Sequence, residues 1–250
     1  MKNIWITGAS SGIGKALALK FANEGWQVAA SARREDLLNK ISESNKNISS
    51  FPLDVTDREK CKEIFEQIKN KYHNIDICFF STGTWDPKKE KDIDIDQMKK
   101  VMDVNFFGTL NCIKAVENYF REKNSGHISI VSSIAGYRGL PNSTGYGASK
   151  AALNNLAESL YFDFGRYNVR VSLVSPGFIK TPMTDKNEFK MPFLKTAEFA
   201  ADKIYKGLIN GSSFEIDFPK ELTLILKFLK ILPDKLYFKI IRKLTKYQKR

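Results

Sequence analysis

The strongest constraint on the fold is an alternation of short apolar segments with longer segments of helical length. The short segments are rich in β-branched and aromatic residues, as buried strands are. They cover residues 4–6, 28–30, 75–80, 127–131, 169–174 and 214–218, and the segments with helical periodicity cover 13–23, 58–71, 96–122 and 148–164. Strands that alternate with helices form βαβ units, whose strands are parallel. The sequence therefore predicts an α/β fold with a single doubly wound parallel sheet and helices on both faces.

Composition excludes several classes of protein. The 250 residues are 42% hydrophobic and 27% charged, which is typical of a globular chain and not of a disordered or collagen-like one. The three cysteines, Cys61, Cys78 and Cys112, are an odd number without metal-ligand spacing, so we predict neither a disulfide framework nor a metal site. No segment resembles a signal peptide or approaches the roughly 18 apolar residues of a membrane span. We therefore expect a cytoplasmic protein.

The first strand leads directly into a glycine-rich loop, residues 7–14, which opens a helix. Gly8 allows a tight turn, Gly12 lets backbone N–H groups approach a phosphate, and Gly14 lets the helix pack on the strand. The partial positive charge of the helix N-terminus favours an anion there. The loop, including Ser10, Ser11 and Ile13, is thus predicted to hold the pyrophosphate of a dinucleotide in a Rossmann-type fold. The alternative is an ordinary Gly/Ser loop.

The end of the second strand indicates which dinucleotide is bound. An acidic residue usually stands there in folds that bind NAD, because it accepts hydrogen bonds from the ribose 2′-hydroxyl. Here the position is Ala32, followed by Arg33 and Arg34. Two guanidinium groups suit a 2′-phosphate, so we predict NADP(H) as the cofactor. The alternative is a solvated basic turn.

A tyrosine and a lysine four residues apart lie on one side of the predicted helix over 148–164 and the turn before it. The pair is Tyr146 and Lys150. An ammonium beside a phenol favours the phenolate, which makes tyrosine a better acid at neutral pH. Ser133 follows the strand over 127–131, at the edge of the sheet where such folds bind ligands. Ser132 is adjacent, but the spacing to the tyrosine favours Ser133.

The glycine spacing, Gly-x-x-x-Gly-x-Gly, resembles that of the short-chain dehydrogenase/reductase family. The resemblance covers nearly all of residues 1–219, because further family motifs follow in order. They are Asp54-Val55, Asn105, Ser133, the segment from Tyr146 to Lys150, and Pro176-Gly177. One departure is Phe-Ser-Thr-Gly at 80–83, where the family usually has Asn-Asn-Ala-Gly. Gly83 still allows a close approach to the cofactor.

The resemblance implies a role for each matched residue. Tyr146 would donate a proton to a carbonyl oxygen, Ser133 would stabilise that oxygen, and Lys150 would hold the nicotinamide ribose. Asn105 would kink its helix and anchor a water leading to Lys150; the alternative is a buried asparagine satisfied by backbone groups. The remaining cofactor contacts would come from Asp54 and Val55 at the adenine, and from Pro176, Gly177, the Ile179 backbone and the Thr181 hydroxyl at the nicotinamide. The family also implies a homo-oligomer, a dimer or a tetramer.

The resemblance implies an NADP(H)-dependent oxidoreductase that interconverts a carbonyl and an alcohol. The loop over 181–196 lies where this family has its lid and is rich in apolar residues: Met183, Phe189, Met191, Pro192, Phe193 and Leu194. It favours a lipophilic substrate, although the same residues would serve as a patch against a neighbouring helix. A different hypothesis is a non-catalytic NADP(H)-binding sensor or scaffold. The complete set of Ser133, Tyr146 and Lys150 argues against it, since a sensor needs no proton donor.

The predicted domains are 1–219, which binds cofactor and substrate, and 220–250, a basic helical extension. Residues 212–250 carry ten Lys or Arg against four Asp or Glu, in a chain whose net charge is +12. Two helices are expected, separated by Pro233. In the second, Leu236, Tyr237, Ile240, Ile241 and Leu244 share a face opposite Lys239, Arg242, Lys243 and Lys246. Such a pattern is typical of a helix on an anionic membrane surface, but it would also fit a cap over the active site or a subunit interface. No groove-reading motif accompanies the charge, so nucleic acid is not an expected partner.

Overall fold

Seven strands of the described residues form one sheet, and every neighbouring pair is parallel. The computed structural model describes residues 2–86, 93–187 and 189–245. The strands are β1 (Asn3–Thr7), β2 (Gln27–Ser31), β3 (Ile48–Ser50), β4 (Ile77–Phe80), β5 (Gly126–Val131), β6 (Val169–Pro176) and β7 (Glu215–Phe218). Their order is β3-β2-β1-β4-β5-β6-β7. The order reverses between β1 and β4, which confirms the predicted doubly wound fold and places its switch point beside the glycine loop.

Helices cover all the predicted helical segments, but the segment 96–122 is divided between two helices, and the helices over 35–44 and 197–209 were not predicted. They are α1 (Gly12–Asn23), α2 (Glu35–Ser44), α3 (Arg58–Tyr72), α4 (Ile95–Met102), α5 (Gly108–Lys123), α6 (Thr144–Gly165), α7 (Ala197–Ile209), α8 (Lys220–Lys230) and α9 (Asp234–Thr245). Side-chain caps fix several starts: Asp57 accepts from the Lys60 N–H at 2.9 Å and Thr196 from the Phe199 N–H at 3.2 Å. Each cap satisfies an amide that has no partner inside its helix.

The sheet is covered on both faces by apolar clusters. One cluster joins α1 and α7 to the sheet, and the other joins α3, α5 and α6 to its opposite face. Trp5, fully buried in β1, packs against Phe65 and Phe80 at ring-centroid distances of 5.7 and 5.5 Å. Its indole N–H donates to the Ser31 hydroxyl at 2.9 Å, so the one polar atom of this large side chain is satisfied.

All three cysteines are buried in the second cluster as free thiols. The sulfurs of Cys61 and Cys112 are 3.8 Å apart, and burial raises the pKa of the Cys78 and Cys112 thiols. Among the described residues, no group of three or more His, Cys, Asp or Glu side chains is placed to hold a metal ion. Within the same residues, no helix combines the length and the apolar character needed to cross a membrane.

A buried polar chain lies where β5 and β6 begin, at the end of the sheet away from the glycine loop. A ring nitrogen of His127 is 2.8 Å from the Ser172 hydroxyl, which donates to the Ser129 hydroxyl at 3.0 Å. Burial and, to a smaller extent, the charge of Arg170 lower the pKa of His127 to about 3. The imidazole is therefore neutral at physiological pH.

The two C-terminal helices pack against the loop that follows β5. The Arg138 guanidinium donates to the carbonyls of Lys230 and Leu232 at 3.1 and 2.7 Å, pairs with Asp234, and lies 4.0 Å from the Tyr237 ring centroid. It thus caps the C-terminus of α8, where carbonyls lack helical partners.

The predicted apolar face of the second C-terminal helix is divided by this contact. Tyr237 and Ile241 are buried against Leu140, whereas Leu236 and Leu244 are 44% and 64% exposed. The face that these apolar residues were predicted to share is therefore divided, with one part packed against the protein and the other exposed, since a helix of this length gains its stability from burying part of its apolar face. Lys246 lies outside the described residues. The domain boundary after residue 219 stays a prediction.

Candidate active site at the carboxyl edge of the sheet

One cleft runs along the edge where the parallel strands end, and nearly all the predicted site residues line it. Those residues are Gly8, Ser10, Ser11, Gly12, Ile13, Gly14, Arg33, Arg34, Asp54, Val55, Gly83, Ser133, Tyr146, Lys150, Pro176, Gly177, Ile179 and Thr181. Asn105 alone among the predicted residues is not in the lining. The fold therefore brings together segments that are up to 173 residues apart in the sequence.

The glycine loop is shaped so that side chains cannot occupy it. Gly8 has φ +71°, and a Cβ there would lie 2.9 Å from the Ser81 backbone. A Cβ on Gly14 would lie 2.4 Å from the Gly8 carbonyl oxygen, a distance that real Cβ atoms do not reach. The loop thus leaves an open cradle at the start of α1, with the backbone N–H groups of a helix N-terminus beside it.

The two arginines after β2 lie at the same end of the cleft but differ in their contacts. The Arg34 guanidinium donates to the hydroxyls of Ser10 and Ser11 at 3.0 and 2.8 Å, so it braces the glycine loop. Arg33 lies at the rim with its side chain 62% exposed, and its nearest ion-pair contact is Asp54 at 3.8 Å. Two cations thus stand beside the loop in a place suited to an anionic group.

Lys150 is a buried cation near the middle of the cleft. It is 4% exposed, its ammonium donates to the Val131 carbonyl at 2.8 Å, and it lies 5.7 Å from the centroid of the Tyr146 ring. No carboxylate pairs with it in the part of the chain that the structure describes. Burial accordingly lowers its pKa to about 8. A lysine shifted in this way inside a cleft is typical of a functional site.

Asn105 lies behind the cleft in a π-helical turn, Asp103–Phe107, that joins α4 to α5. Its side-chain carbonyl accepts from the Thr84 N–H at 2.7 Å, and its amide donates to the Thr84 carbonyl at 3.1 Å and the Ser149 hydroxyl at 3.0 Å. The expected helix irregularity is present. The asparagine connects the loop after β4 to α6, one residue before Lys150.

The structure separates the roles of the two adjacent serines. Ser132 is 2% exposed, and its hydroxyl donates to the Lys150 carbonyl at 3.0 Å, so it helps to hold α6 in place. Ser133 is less buried, and its hydroxyl accepts from the Ala135 N–H at 3.2 Å. That contact leaves the hydroxyl proton of Ser133 available toward the cleft.

The loop after β6 contains a contact that the sequence analysis missed. The Thr184 hydroxyl donates to the Ile179 carbonyl at 2.6 Å and accepts from the Thr181 N–H at 2.9 Å. The Lys180 N–H donates to the Lys195 carbonyl at 2.8 Å, which closes the base of the apolar loop. The spacing of Thr181 and Thr184, three residues apart after Pro-Gly, is the signal that predicts such a turn.

Trp85 is a second residue that the sequence analysis missed. Its ring lies 5.4 Å from the Tyr146 ring, with an angle of 33° between the planes, so it shapes the surroundings of the tyrosine. A large aromatic residue two positions after Gly83 was the available signal. Sequence distance hid it, because Trp85 and Tyr146 are 61 residues apart.

Comparison with known proteins decides the family. The sequence matches the short chain dehydrogenase family over residues 2–191. This chain belongs to that family. It is 32% identical over 243 residues to an uncharacterised oxidoreductase of Myxococcus xanthus, with 96% of each chain covered. It is 38% identical over 190 residues to a 3-oxoacyl-acyl-carrier-protein reductase of Thermotoga maritima, covering 72% of this chain and 75% of that one.

Solved structures agree with the family. ElxO, solved with NADP bound, superposes with a TM-score of 0.76 at 29% identity and covers 86% of this chain and 97% of its own. A short-chain dehydrogenase from Streptomyces avermitilis covers the whole of this chain and 98% of its own, with a TM-score of 0.82 at 20% identity, and shows the fold alone. The short-chain dehydrogenase described here is therefore an oxidoreductase acting on CH–OH or C=O groups, and the comparisons do not favour the sensor hypothesis.

Proposed function

We propose that this short-chain dehydrogenase uses NADP(H) to interconvert a lipophilic carbonyl compound and its alcohol, with Tyr146 as proton donor and acceptor. The observation that carries the proposal is the buried charge of Lys150, which no carboxylate of the described residues compensates, beside Tyr146 in a cleft that also contains Ser133. A fold gains nothing in stability from a buried lysine without a counter-charge. Its presence is explained by the reaction.

The cleft fits the proposed cofactor. The cradle at Gly8 and Gly14, which a Cβ would fill, suits a pyrophosphate, and Arg33 with Arg34 suits the 2′-phosphate of NADP(H). When bound, NADPH supplies a hydride to the substrate carbonyl carbon. ElxO was solved with NADP, whereas a short-chain dehydrogenase from Burkholderia phymatum was solved with NAD, so cofactor preference in this fold depends on local residues such as these.

The remaining cofactor contacts come from the two ends of the cleft. We assign Asp54 and Val55 to the adenine. The nicotinamide end is assigned to Pro176, Gly177, the Ile179 backbone and the Thr181 hydroxyl, which Thr184 orients. Lys150 holds the hydroxyls of the nicotinamide ribose.

In the reduction direction Tyr146 donates its hydroxyl proton to the substrate oxygen, and Ser133 donates a hydrogen bond to the same oxygen. The Lys150 ammonium stabilises the phenolate that remains. Because the pKa of Lys150 is about 8 in the free protein, the ammonium is present at neutral pH. Asn105, through its place between Thr84 and Ser149, positions the segment before Lys150. From the family resemblance we also assign to it the water path by which Tyr146 regains a proton.

A lipophilic substrate is favoured by the apolar loop over the cleft. Met183 lines the cleft itself, while Phe189, Phe193 and Leu194 are 49%, 45% and 41% exposed on the same loop. Glu188 lies outside the described residues. Exposed apolar side chains beside a cleft gain free energy when an apolar ligand covers them.

We further propose a cytoplasmic homo-oligomer. On α6, Tyr161 and Phe162 are 49% and 70% exposed, and Phe107, the last residue of the π-helical turn before α5, is 49% exposed. A second copy of the chain that covers these aromatic residues would remove them from water. Sedimentation velocity measures the assembly directly, and a monomer at all concentrations would contradict it.

Turnover with a panel of ketones, aldehydes and lipid-like carbonyl compounds tests the function. NADPH consumption is followed by the absorbance of the reduced nicotinamide. We expect Tyr146→Phe to abolish turnover and to keep NADPH affinity within about twofold, because the hydroxyl acts on the substrate while Lys150 holds the ribose. Native-like turnover by Tyr146→Phe on an identified substrate would contradict the assignment of the proton donor.

A further inference from the structure

The outward side of α8 is an exposed apolar surface, which we call the α8 face. It consists of Leu224, Ile225, Phe228 and Ile231, which are 62%, 47%, 60% and 77% exposed. Their spacing places them on one side of the helix, while Leu222 and Leu229 are buried on the other. Contiguous apolar surfaces of this kind on a soluble protein mark an interaction site.

The helices that carry the α8 face are strongly basic. Residues 220–245 contain seven Lys or Arg and two Asp or Glu. Lys220 and Lys227 pair with Asp217, and Lys227 also pairs with Glu215. Within the ranges that the structure describes, no ion pair is found for the exposed cations that remain: Lys230, Lys235, Lys239, Arg242 and Lys243. The surface around the α8 face is therefore positively charged.

The α8 face lies beside the cleft. On the buried side of α8, the Leu222 side chain is so close to Gly177 that a Cβ on the glycine would lie 3.0 Å from it. Arg138, which caps α8, belongs to the loop between Ser133 and Tyr146. A partner seated on the α8 face would thus lie next to the segments that form the entrance to the site.

Charge decides among the partners that this surface fits. A second copy of the chain carries the same net charge of +12 and the same basic helices, so pairing the α8 faces would bring like charges together. An anionic lipid surface offers both complements, phosphates for the lysines and an apolar boundary for Leu, Ile and Phe. We propose that the α8 face docks this protein onto anionic membrane surfaces, with the exposed cations of α8 and α9 at the head groups.

This docking is independent of the reaction proposed above. The sequence analysis placed the membrane-facing apolar residues on the second C-terminal helix. In the structure Tyr237 and Ile241 of that helix, α9, face the protein, so α8 provides the apolar contact. Removing both helices would expose Gly177 and Leu140 and would confuse loss of docking with damage to the fold. Substitutions at the outer side of α8 avoid that difficulty because the side chains are exposed.

Vesicle co-sedimentation of the full-length protein tests the proposal. The probes are vesicles of phosphatidylcholine with phosphatidylglycerol, and vesicles of phosphatidylcholine alone. We expect binding to the anionic vesicles, at least about tenfold weaker in the double variant Phe228→Asp with Ile231→Asp, since two apolar contacts are replaced by carboxylates. Ile95→Asp at the start of α4 is the matched control, because Ile95 is 64% exposed and belongs neither to the α8 face nor to the proposed subunit contact, and it should bind within about twofold of the native protein.

The charge component is tested separately. Lys239→Glu with Lys243→Glu should weaken binding to the anionic vesicles, and so should higher salt, because exposed charges are screened. Circular dichroism and thermal unfolding verify that each variant is folded, without reference to cofactor or activity.

Three results would overturn the proposal. They are a native protein that does not bind anionic vesicles, equal binding by the native protein and the Phe228→Asp, Ile231→Asp variant, and equal binding to both kinds of vesicle. A change of sedimentation coefficient in the α8 variants without vesicle binding would likewise overturn it and assign the α8 face to a subunit interface.

Discussion

Lys150 lies in the cleft and Lys227 lies on α8, and their surroundings shift the pKa of the two ammonium groups in opposite directions. Lys150 has a carbonyl as hydrogen-bond acceptor, and burial lowers its pKa to about 8. Burial also acts to lower the pKa of Lys227, but Glu215 at 2.7 Å and Asp217 at 3.2 Å outweigh it, so the pKa is raised. A structural lysine is given its counter-charges by the fold, whereas a functional one is left to receive them from a ligand.

Around Lys227 the compensation is nearly complete. The Tyr137 hydroxyl donates to Glu215 at 2.6 Å, and the largely buried Asp217 accepts from the Lys220 ammonium at 2.6 Å and from the Thr223 hydroxyl. These contacts join α8 to β7 and to the loop after β5. The group is polar, yet its members satisfy one another, so it attaches the C-terminal helices without requiring a partner.

The largest expected effect is that of Lys150→Met. Turnover should fall about a thousandfold, because the phenolate of Tyr146 loses its stabilising charge. The free protein should at the same time become more stable by about 1 to 3 kcal/mol, since the folded pKa of about 8 lies below the unfolded 10.5 and the burial penalty is fully present at pH 7. Denaturant unfolding without NADP measures the stability of the free protein, and the same unfolding with NADP shows how the cofactor changes it. A less stable Lys150→Met protein would mean that Lys150 is structural.

The second effect concerns His127, another buried base for which the described residues provide no counter-charge. Its folded pKa of about 3 lies below the unfolded 6.5, so stability is complete above pH 6.5 and falls as the pH is lowered. By pH 5 the loss due to this group should be about 2 kcal/mol. Urea unfolding from pH 7 to 5 should show that dependence reduced in His127→Gln and unchanged in His73→Asn, the exposed matched control. If the free energy of unfolding depended on pH equally in all three proteins, the low pKa assigned to His127 would be refuted.

The third effect is that of Lys227→Met, which should act on stability with the sign opposite to Lys150→Met. Glu215 and Asp217 lose a shared cation, but Lys220 remains and Lys227 is 37% exposed, so solvent screening limits the loss to about 1 kcal/mol. Turnover should change less than about threefold because α8 stays attached through Arg138. If the two methionine variants shifted stability in the same direction, the distinction between the two lysines would fail.

The fourth effect is on cofactor choice. Arg33→Glu should raise the Kd for NADPH by about tenfold and change the Kd for NADH little, since the exposed guanidinium serves only the 2′-phosphate. Equal affinities of the native protein for the two cofactors, measured by fluorescence titration, would contradict the proposed preference for NADP(H).

Much of the fold and of the cleft lining was predictable because it depends on local patterns. The β-rich segments predicted every described strand except β3, and the glycine loop marked the switch point between β1 and β4. Roles that depend on contacts between residues far apart in the sequence were not predictable. Trp85 reaches Tyr146, and Arg138 reaches the end of α8, across 61 and 92 residues of sequence. No local periodicity carries such information.

The C-terminal helices show the same limit. The hydrophobic pattern of α9 identifies an amphipathic helix, but it does not tell which part of the apolar stripe meets the protein and which part meets solvent. That division depends on Leu140, which lies in another segment and takes up Tyr237 and Ile241. Similarly, the sequence pairs Lys150 with Tyr146 but does not reveal that no carboxylate in the described parts of the chain pairs with Lys150.

The central claim, that the fold leaves the charge of Lys150 for the cofactor and Tyr146 to use, is tested most directly by proton uptake on NADP binding. Calorimetric titration at about pH 8, in two buffers of different ionisation enthalpy, measures the protons taken up. Ribose hydroxyls that accept hydrogen bonds from the ammonium should raise the pKa of Lys150, so the native protein should take up a fraction of a proton and Lys150→Met should take up none. Binding without proton uptake, or equal uptake by both proteins, would contradict the account.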